Sequence, residues 1–368
     1  MKKCLFVLVL FWVLFPKMTD AQTIDTSMDV GNGKALHFTI IQGKGAPILF
    51  ESGAGNNGNI WKDITPLVAE VTGATTITYD RLGFGENSQS SPVGFGNEIK
   101  ALETALQKLG FAHQNIMLVS HSMGGLYQSY YASRHPNEVK AAVFIDASTT
   151  CSWAASFKTL PDVAKDLTDM LDTVIKHPMP LHIPVLDIVA GEQPDDNGNP
   201  DTVNANIWFT CHRNFVSESP VRKALLAYGS GHYVFIENPP LVINAIVTQY
   251  ATYLAPKQKA AILEKAYALA LQMANESKKN EVKCGHSEED LNTWGYSLLE
   301  NNETAKAIEI FRLNVTLHPD SWNPYDSLAE AYLKAGNKEM AIKNYQKSLE
   351  LNPKNENAIQ VLAEIQNK

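Results

Sequence analysis

Several kinds of chemistry lack a foothold in this sequence of 368 residues. It contains no H-E-x-x-H pair of metal-binding histidines, no P-loop to cradle phosphates and no dinucleotide fingerprint after its first strand-like run, so neither a metal nor a cofactor is expected. No long lysine or arginine cluster is present, and the net charge is −8. Phosphate neutralisation needs clustered cations, so a nucleic-acid partner is not expected, and the acidity gives an anionic membrane nothing to attract. Cysteine is scarce, and the positions of Cys151, Cys211 and Cys284 match no zinc spacing. Long apolar runs are missing beyond the N-terminus. What remains is an ordinary globular share of hydrophobic residues, 45%, sufficient for a sizeable core.

The N-terminus reads as a targeting segment. Lys2 and Lys3 precede an apolar run from Cys4 to Phe15, and small Ala21 ends the polar stretch that follows. A charged start, a short apolar centre and a small residue at the cut form a signal peptide over 1–21. The run is short for a transmembrane helix, the alternative being a retained anchor. Cys4 sits too early in it to accept a lipid. The mature chain is therefore expected to be exported, periplasmic or secreted, with no stable membrane insertion. In such a compartment one disulfide is allowed, and Cys151–Cys211 is the pair to test first; free buried thiols are the alternative.

From Lys34 to about Ala255 short apolar, β-branched runs alternate with helical patterns. Ala46–Phe50, Thr75–Tyr79, Ile116–Val119, Ala141–Ile145 and Ile183–Val189 suit strands buried on both faces of a parallel sheet. Glu98–Leu109 carries Ile99, Leu102, Leu106 and Leu109 on one helical face, and Met123–Ser133 and Pro240–Leu254 also read as helices. This alternation predicts an α/β fold with a mainly parallel sheet over 25–255. Residues 148–182 break the rhythm and are expected to form a small helical cap over the strands' C-terminal ends. A linker helix is expected within 256–287.

The last segment, 288–368, repeats itself. Pro319 and Pro353, Ala307 and Ala341, Phe311 and Tyr345, Gly295 and Ala329, and Leu298 and Tyr332 all stand 34 residues apart. Each unit reads as two short amphipathic helices turning near Asn302 or Gly336. The pattern resembles the tetratricopeptide repeat (TPR), which implies an all-α module that recruits a protein partner or mediates self-association.

The sharpest chemical signal is Val119-Ser120-His121-Ser122-Met123-Gly124-Gly125, lying between a strand-like run and a helix. A tight strand-to-helix turn flanked by small residues would lift the Ser122 hydroxyl above the sheet, beside the free amides of a helix N-terminus. The motif resembles the G-x-S-x-G elbow of the α/β-hydrolase family, with Ser120 at the first glycine position. Three further segments follow the family's order. Leu49-Phe50-Glu51-Ser52-Gly53-Ala54-Gly55 sits where its oxyanion loop would, which implies the backbone N–H groups of Ala54 and Met123 as oxyanion donors. Tyr79-Asp80-Arg81-Leu82-Gly83-Phe84-Gly85 is similar to the turn after its fourth strand, and Asp80 with Arg81 reads as a structural ion pair. Gly229-Ser230-Gly231-His232 places His232 as the base, with His121 and His212 as rivals. The acid is open. Asp146, at a strand end, is preferred over Asp195, which falls one residue late for the commoner family position.

The resemblance implies a serine hydrolase that cleaves a carboxylic ester, or an amide, through Ser122, His232 and Asp146 (or Asp195) with an acyl-enzyme. The alternative is a silent hydrolase scaffold whose TPR-like module binds a protein or peptide. Trp61, Trp153 and Trp208 receive no role.

Overall fold

The computed structural model describes residues 22–87, 91, 93–157, 165–192, 202–279 and 287–366. The signal-like 1–21, the rival acid Asp195 and Cys284 lie outside the described residues. The chain divides into two compact units between Ala268 and Leu269.

The first unit is built on an eight-stranded sheet: β1 (Thr23–Gly31), β2 (Lys34–Ile41), β3 (Gly45–Glu51), β4 (Ala74–Asp80), β5 (Ile116–His121), β6 (Val139–Ile145), β7 (Val185–Ala190) and β8 (Arg222–Ala227). Their order is β1-β2-β4-β3-β5-β6-β7-β8. The first two strands run antiparallel to their neighbours, and from β4 to β8 every pairing is parallel. The helices between are α1 (Thr65–Thr72), α2 (Phe95–Lys108), α3 (Gly124–Arg134), α4 (Thr150–Phe157), α5 (Lys165–Lys176), α6 (Thr202–Ser217), the single turn α7 (Val234–Glu237) and α8 (Pro239–Ala251). Helix α9 (Pro256–Lys279) spans the division between the units.

The apolar runs became strands because helices cover both faces of the sheet. Every residue of β4 and β5 is buried, including Ile77, Met117, Leu118 and Val119. Burying each such side chain stabilises the fold by roughly 1.5–3 kcal/mol. The edge strand β1 instead alternates exposed and half-covered residues, a pattern too weakly apolar for a reading that began at Lys34. After β3 the chain passes to β4 on one side and then to β5 on the other. That reversal opens a crevice beyond the C-terminal ends of the strands, where α/β proteins bind ligands.

The stretch expected as a cap holds α4 and α5. Helix α5 packs on α2 and α3, with Met170 and Val174 in the main core. Its apolar stripe thus makes α5 part of the helical layer on the sheet. Helix α4 opens with a reciprocal cap: the Thr149 N–H donates to Ser152 Oγ at 2.9 Å, and the Ser152 N–H to Thr149 Oγ1 at 3.2 Å. It carries Cys151, which forms a disulfide with Cys211 of α6 across a Cα separation of 5.4 Å.

In the second unit α10 (Glu288–Glu300), α11 (Thr304–Leu317), α12 (Asn323–Lys334), α13 (Lys338–Leu351) and α14 (Glu356–Gln366) follow as two helical hairpins and a closing helix. The 34-residue correspondence has a packing cause. Ala307, Ala329 and Ala341 are fully buried where helices approach, and Phe311 and Tyr345 fill the grooves. Gly295 faces the Phe311 ring, and a Cβ there would overlap it. Gly295→Ala should therefore destabilise this unit by about 1–3 kcal/mol through overpacking. Hydrogen exchange of the α10 and α11 amides in the full chain reads the loss; unchanged protection would contradict this packing.

Candidate active site

The crevice gathers side chains from five strand ends. Ser122 stands between β5 and α3 with φ of 52°, a left-handed conformation costing a non-glycine residue on the order of 1–2 kcal/mol. The turn closes because its neighbours lack side chains. A Cβ on Gly124 would lie 2.9 Å from the carbonyl oxygens of Glu51 and Ser52, and one on Gly125 would lie 2.7 Å from that of Ser148. The Ser122 carbonyl accepts from the N–H groups of Gly125 at 2.9 Å and Ser148 at 2.8 Å, which ties the turn to the chain after β6.

Asp146 ends β6, is fully buried, and also has a positive φ of 42°. Its Oδ2 lies 2.6 Å from His232 Nδ1. Its Oδ1 accepts from the Ala190 N–H at 3.0 Å and from the Trp208 indole Nε1–H at 2.7 Å. Burial alone would raise the Asp146 pKa, but the bond and charge of His232, with the Ala190 N–H and the His212 charge, hold it below the ordinary carboxylate value. Sequence reasoning gave Trp208 no role; its contact joins residues 62 positions apart.

The loop after β3 lies against the turn, where a Cβ on Gly53 would sit 2.8 Å from that of Ser122. Here the expected Asp80–Arg81 pair gives way to another. Arg81 Nη1 reaches Glu51 Oε1 at 2.5 Å and the Ser52 carbonyl at 2.6 Å, and Nη2 reaches the Gly53 carbonyl at 2.6 Å. Tyr79 OH also donates to Glu51. Arg81 follows the last residue of β4, and the two neighbours take separate partners: Asp80 accepts from the N–H groups of Gly58 and Glu86. Burial lifts the Glu51 pKa, while Glu51 keeps the buried Arg81 charged. Because a trans peptide sets C=O and N–H on opposite sides, holding the Gly53 carbonyl on Arg81 turns the Ala54 N–H the other way. Among the described residues, neither the Ala54 nor the Met123 N–H donates to another protein group.

The other histidines have separate partners. His212 lies on α6, fully buried, with Nδ1 2.7 Å from Asp187 Oδ2. Burial opposes its charge, but Asp187 and Asp146 outweigh that and raise its pKa. His121 packs on His232 with ring centroids 4.5 Å apart, and its Nε2–H donates to the His232 carbonyl at 2.9 Å. The residue before Ser122 therefore secures the loop that carries His232.

Comparison with known proteins agrees with this architecture. A family model described as alpha/beta hydrolase fold matches residues 46–177, and a tetratricopeptide repeat model matches residues 327–355. The chain carries an α/β-hydrolase domain followed by a tetratricopeptide repeat. The hydrolase match includes Ser122 and Asp146 and stops before His232. The uncharacterized protein YqjL of Bacillus subtilis (strain 168) is 27% identical over 254 residues, covering 64% of this chain and 94% of its own length. Lipase 1 of Psychrobacter immobilis is 32% identical over 106 residues, 28% of this chain and 32% of that one, so the chain spans about a third of that lipase. Among solved structures, a probable hydrolytic enzyme from Pseudomonas aeruginosa PAO1 aligns with a TM-score of 0.46 at 16% identity, covering 61% of this chain and 93% of that one.

His121 of the hydrolase domain gives a prediction. Burial, then the neighbouring His232, pushes its pKa from 6.5 down to about 3. The unfolded chain takes up this proton near pH 6.5 and the folded chain only near 3. The neutral imidazole thus supports the fold fully above the first value, and that support is lost as pH falls between the two, at up to about 1.4 kcal/mol per pH unit. His121→Gln should flatten the acid side of the stability curve, read from urea midpoints across that range. An unchanged acid slope would contradict the assignment.

Proposed function

We propose that the hydrolase domain is a serine hydrolase acting on a carboxylic ester or amide, with Ser122 as nucleophile, His232 as base and Asp146 as acid. The observation that carries the reading is the 2.6 Å contact between Asp146 Oδ2 and His232 Nδ1, with the His232 ring packed on His121, the residue before Ser122. A carboxylate can only accept, so Nδ1 bears the proton and Nε2 offers a lone pair. Ser122 Oγ attacks the substrate carbonyl carbon as His232 Nε2 takes its proton. The oxyanion meets the N–H groups of Ala54 and Met123. Collapse breaks the bond to the alcohol or amine, which leaves with the proton from His232. Water, deprotonated by the same nitrogen, then releases the acid and frees Ser122.

Export is part of the reading. The disulfide between Cys151 and Cys211 fits an oxidising compartment, in line with the signal-like N-terminus. The tetratricopeptide repeat supports a protein partner or self-association, with no role in the chemistry.

A fluorophosphonate probe should label the wild-type chain and leave Ser122→Ala unlabelled. On p-nitrophenyl acetate, Asp146→Asn should retain the fold and lose activity by about three to four orders of magnitude, because its amide favours the wrong His232 tautomer. Equal labelling of Ser122→Ala would remove the nucleophile and leave the scaffold reading, in which the repeat module supplies the function.

A further inference from the structure

Helix α6 supplies none of the three reacting groups, yet one of its faces is held at four positions between Trp208 and Phe215. Trp208, Cys211, His212 and Phe215 follow the i, i+3, i+4, i+7 spacing that aligns side chains along a helix. Each has a different hold. Trp208 Nε1–H donates to Asp146 Oδ1 at 2.7 Å. Cys211 is bonded to Cys151 of α4. His212 Nδ1 lies 2.7 Å from Asp187 Oδ2 on β7. Phe215 stacks on Phe144 of β6 with centroids 5.5 Å apart, and the Arg222 guanidinium covers it at 4.1 Å.

We propose that Trp208 is a positioning residue for Asp146, and that the Cys151–Cys211 disulfide and the His212–Asp187 pair hold in place the helix that delivers it. This rests on the reading of Asp146 as the acid of a serine hydrolase.

The geometry gives the indole a defined task. A carboxylate that orients an imidazole must keep one oxygen on Nδ1, and rotation about its last bond is stopped by donors on the other oxygen. Among the described residues, Asp146 Oδ1 has the Ala190 N–H from the end of β7 and the Trp208 N–H from α6. The backbone donor cannot move without the sheet. The indole depends on where α6 stands. Its chemistry also suits the place, because a neutral donor holds the carboxylate without cancelling the charge that steadies imidazolium. An arginine or lysine there would compete with His232 for that charge. Between the anchors, the disulfide joins positions 60 apart and ties α6 to the helix that follows Asp146.

The test compares full-length wild type with Trp208→Phe, which keeps an aromatic ring and removes the N–H, and with the double variant Cys151→Ser, Cys211→Ser. On p-nitrophenyl acetate, Trp208→Phe is expected to lower kcat roughly ten- to hundredfold, the worth of one hydrogen bond to a charged group, with KM within about twofold. The double serine variant should lower kcat in the same sense while its far-ultraviolet circular dichroism stays unchanged. Wild-type kcat and KM in Trp208→Phe overturn the role of Trp208, and full kcat in the double variant overturns that of the disulfide. A second measurement needs no turnover. In protein labelled with 15N at the indoles, the Trp208 resonance, assigned by its loss in Trp208→Phe, should shift in Asp146→Asn. A resonance indifferent to that change overturns the proposal. Absence of wild-type turnover with a responsive resonance would instead remove the hydrolase reading and keep the hold of Trp208 on Asp146.

Discussion

Asp146 carries its charge where water does not reach, and an isolated buried carboxylate costs several kcal/mol unless donors surround it. Among the described residues, donors come from elements far apart in sequence: the end of β7, the loop after β8 and helix α6. Each can reach the carboxylate only if β6, β7 and β8 lie side by side in parallel, as they do. The His232 loop follows β8, so it passes the end of β7 to meet Asp146, and there its ring packs on His121, the residue before Ser122. The strand order and the triad-like contact are thus one constraint seen at two scales.

A second buried charge works on the opposite side of Ser122. Arg81 is enclosed by Glu51, two carbonyls and the rings of Tyr127 and Phe84. Its forked guanidinium, with Nη1 and Nη2 aimed together, fits this task better than a lysine's point charge would, since two peptide planes must be held together with a carboxylate. Ser122, the proposed nucleophile, therefore stands between two hydrogen-bonded arrangements, one holding the His232 imidazole on Asp146 and the other holding the Gly53–Ala54 peptide on Arg81. Neither needs to reorganise as charge develops, which is the condition for electrostatic stabilisation of an oxyanion.

Local features of the site could be read from sequence, and contacts across the fold could not. The elbow around Ser122 is legible because glycine and small residues are demanded within a few positions, and the buried strands are legible because both faces are covered. The choice between Asp146 and Asp195 depends on which strand end lies under His232, a contact across 86 residues that no local pattern reports. The sequence pairs Arg81 with its neighbour Asp80, whereas the fold brings it to Glu51, 30 positions earlier, a contact no local pattern reports. Helix α6 is not among the helices read from the sequence. Its stripe of Trp208, Cys211, His212 and Phe215 mixes apolar and polar types, so it gives a weak amphipathic signal, although the spacing alone would have marked it as one face. The TPR-like unit was legible because repetition at 34 residues is itself a nonlocal signal, written twice in the same chain.

The proposed chemistry requires a covalent bond at residue 122. Wild-type chain quenched in acid during turnover of p-nitrophenyl acetate, digested and mapped by mass spectrometry, reads it directly. An acetyl group on the peptide that contains Ser122, formed and lost at rates matching turnover, is the expected result. Turnover with no acylated peptide, or with the acetyl group on another residue, would contradict the assignment.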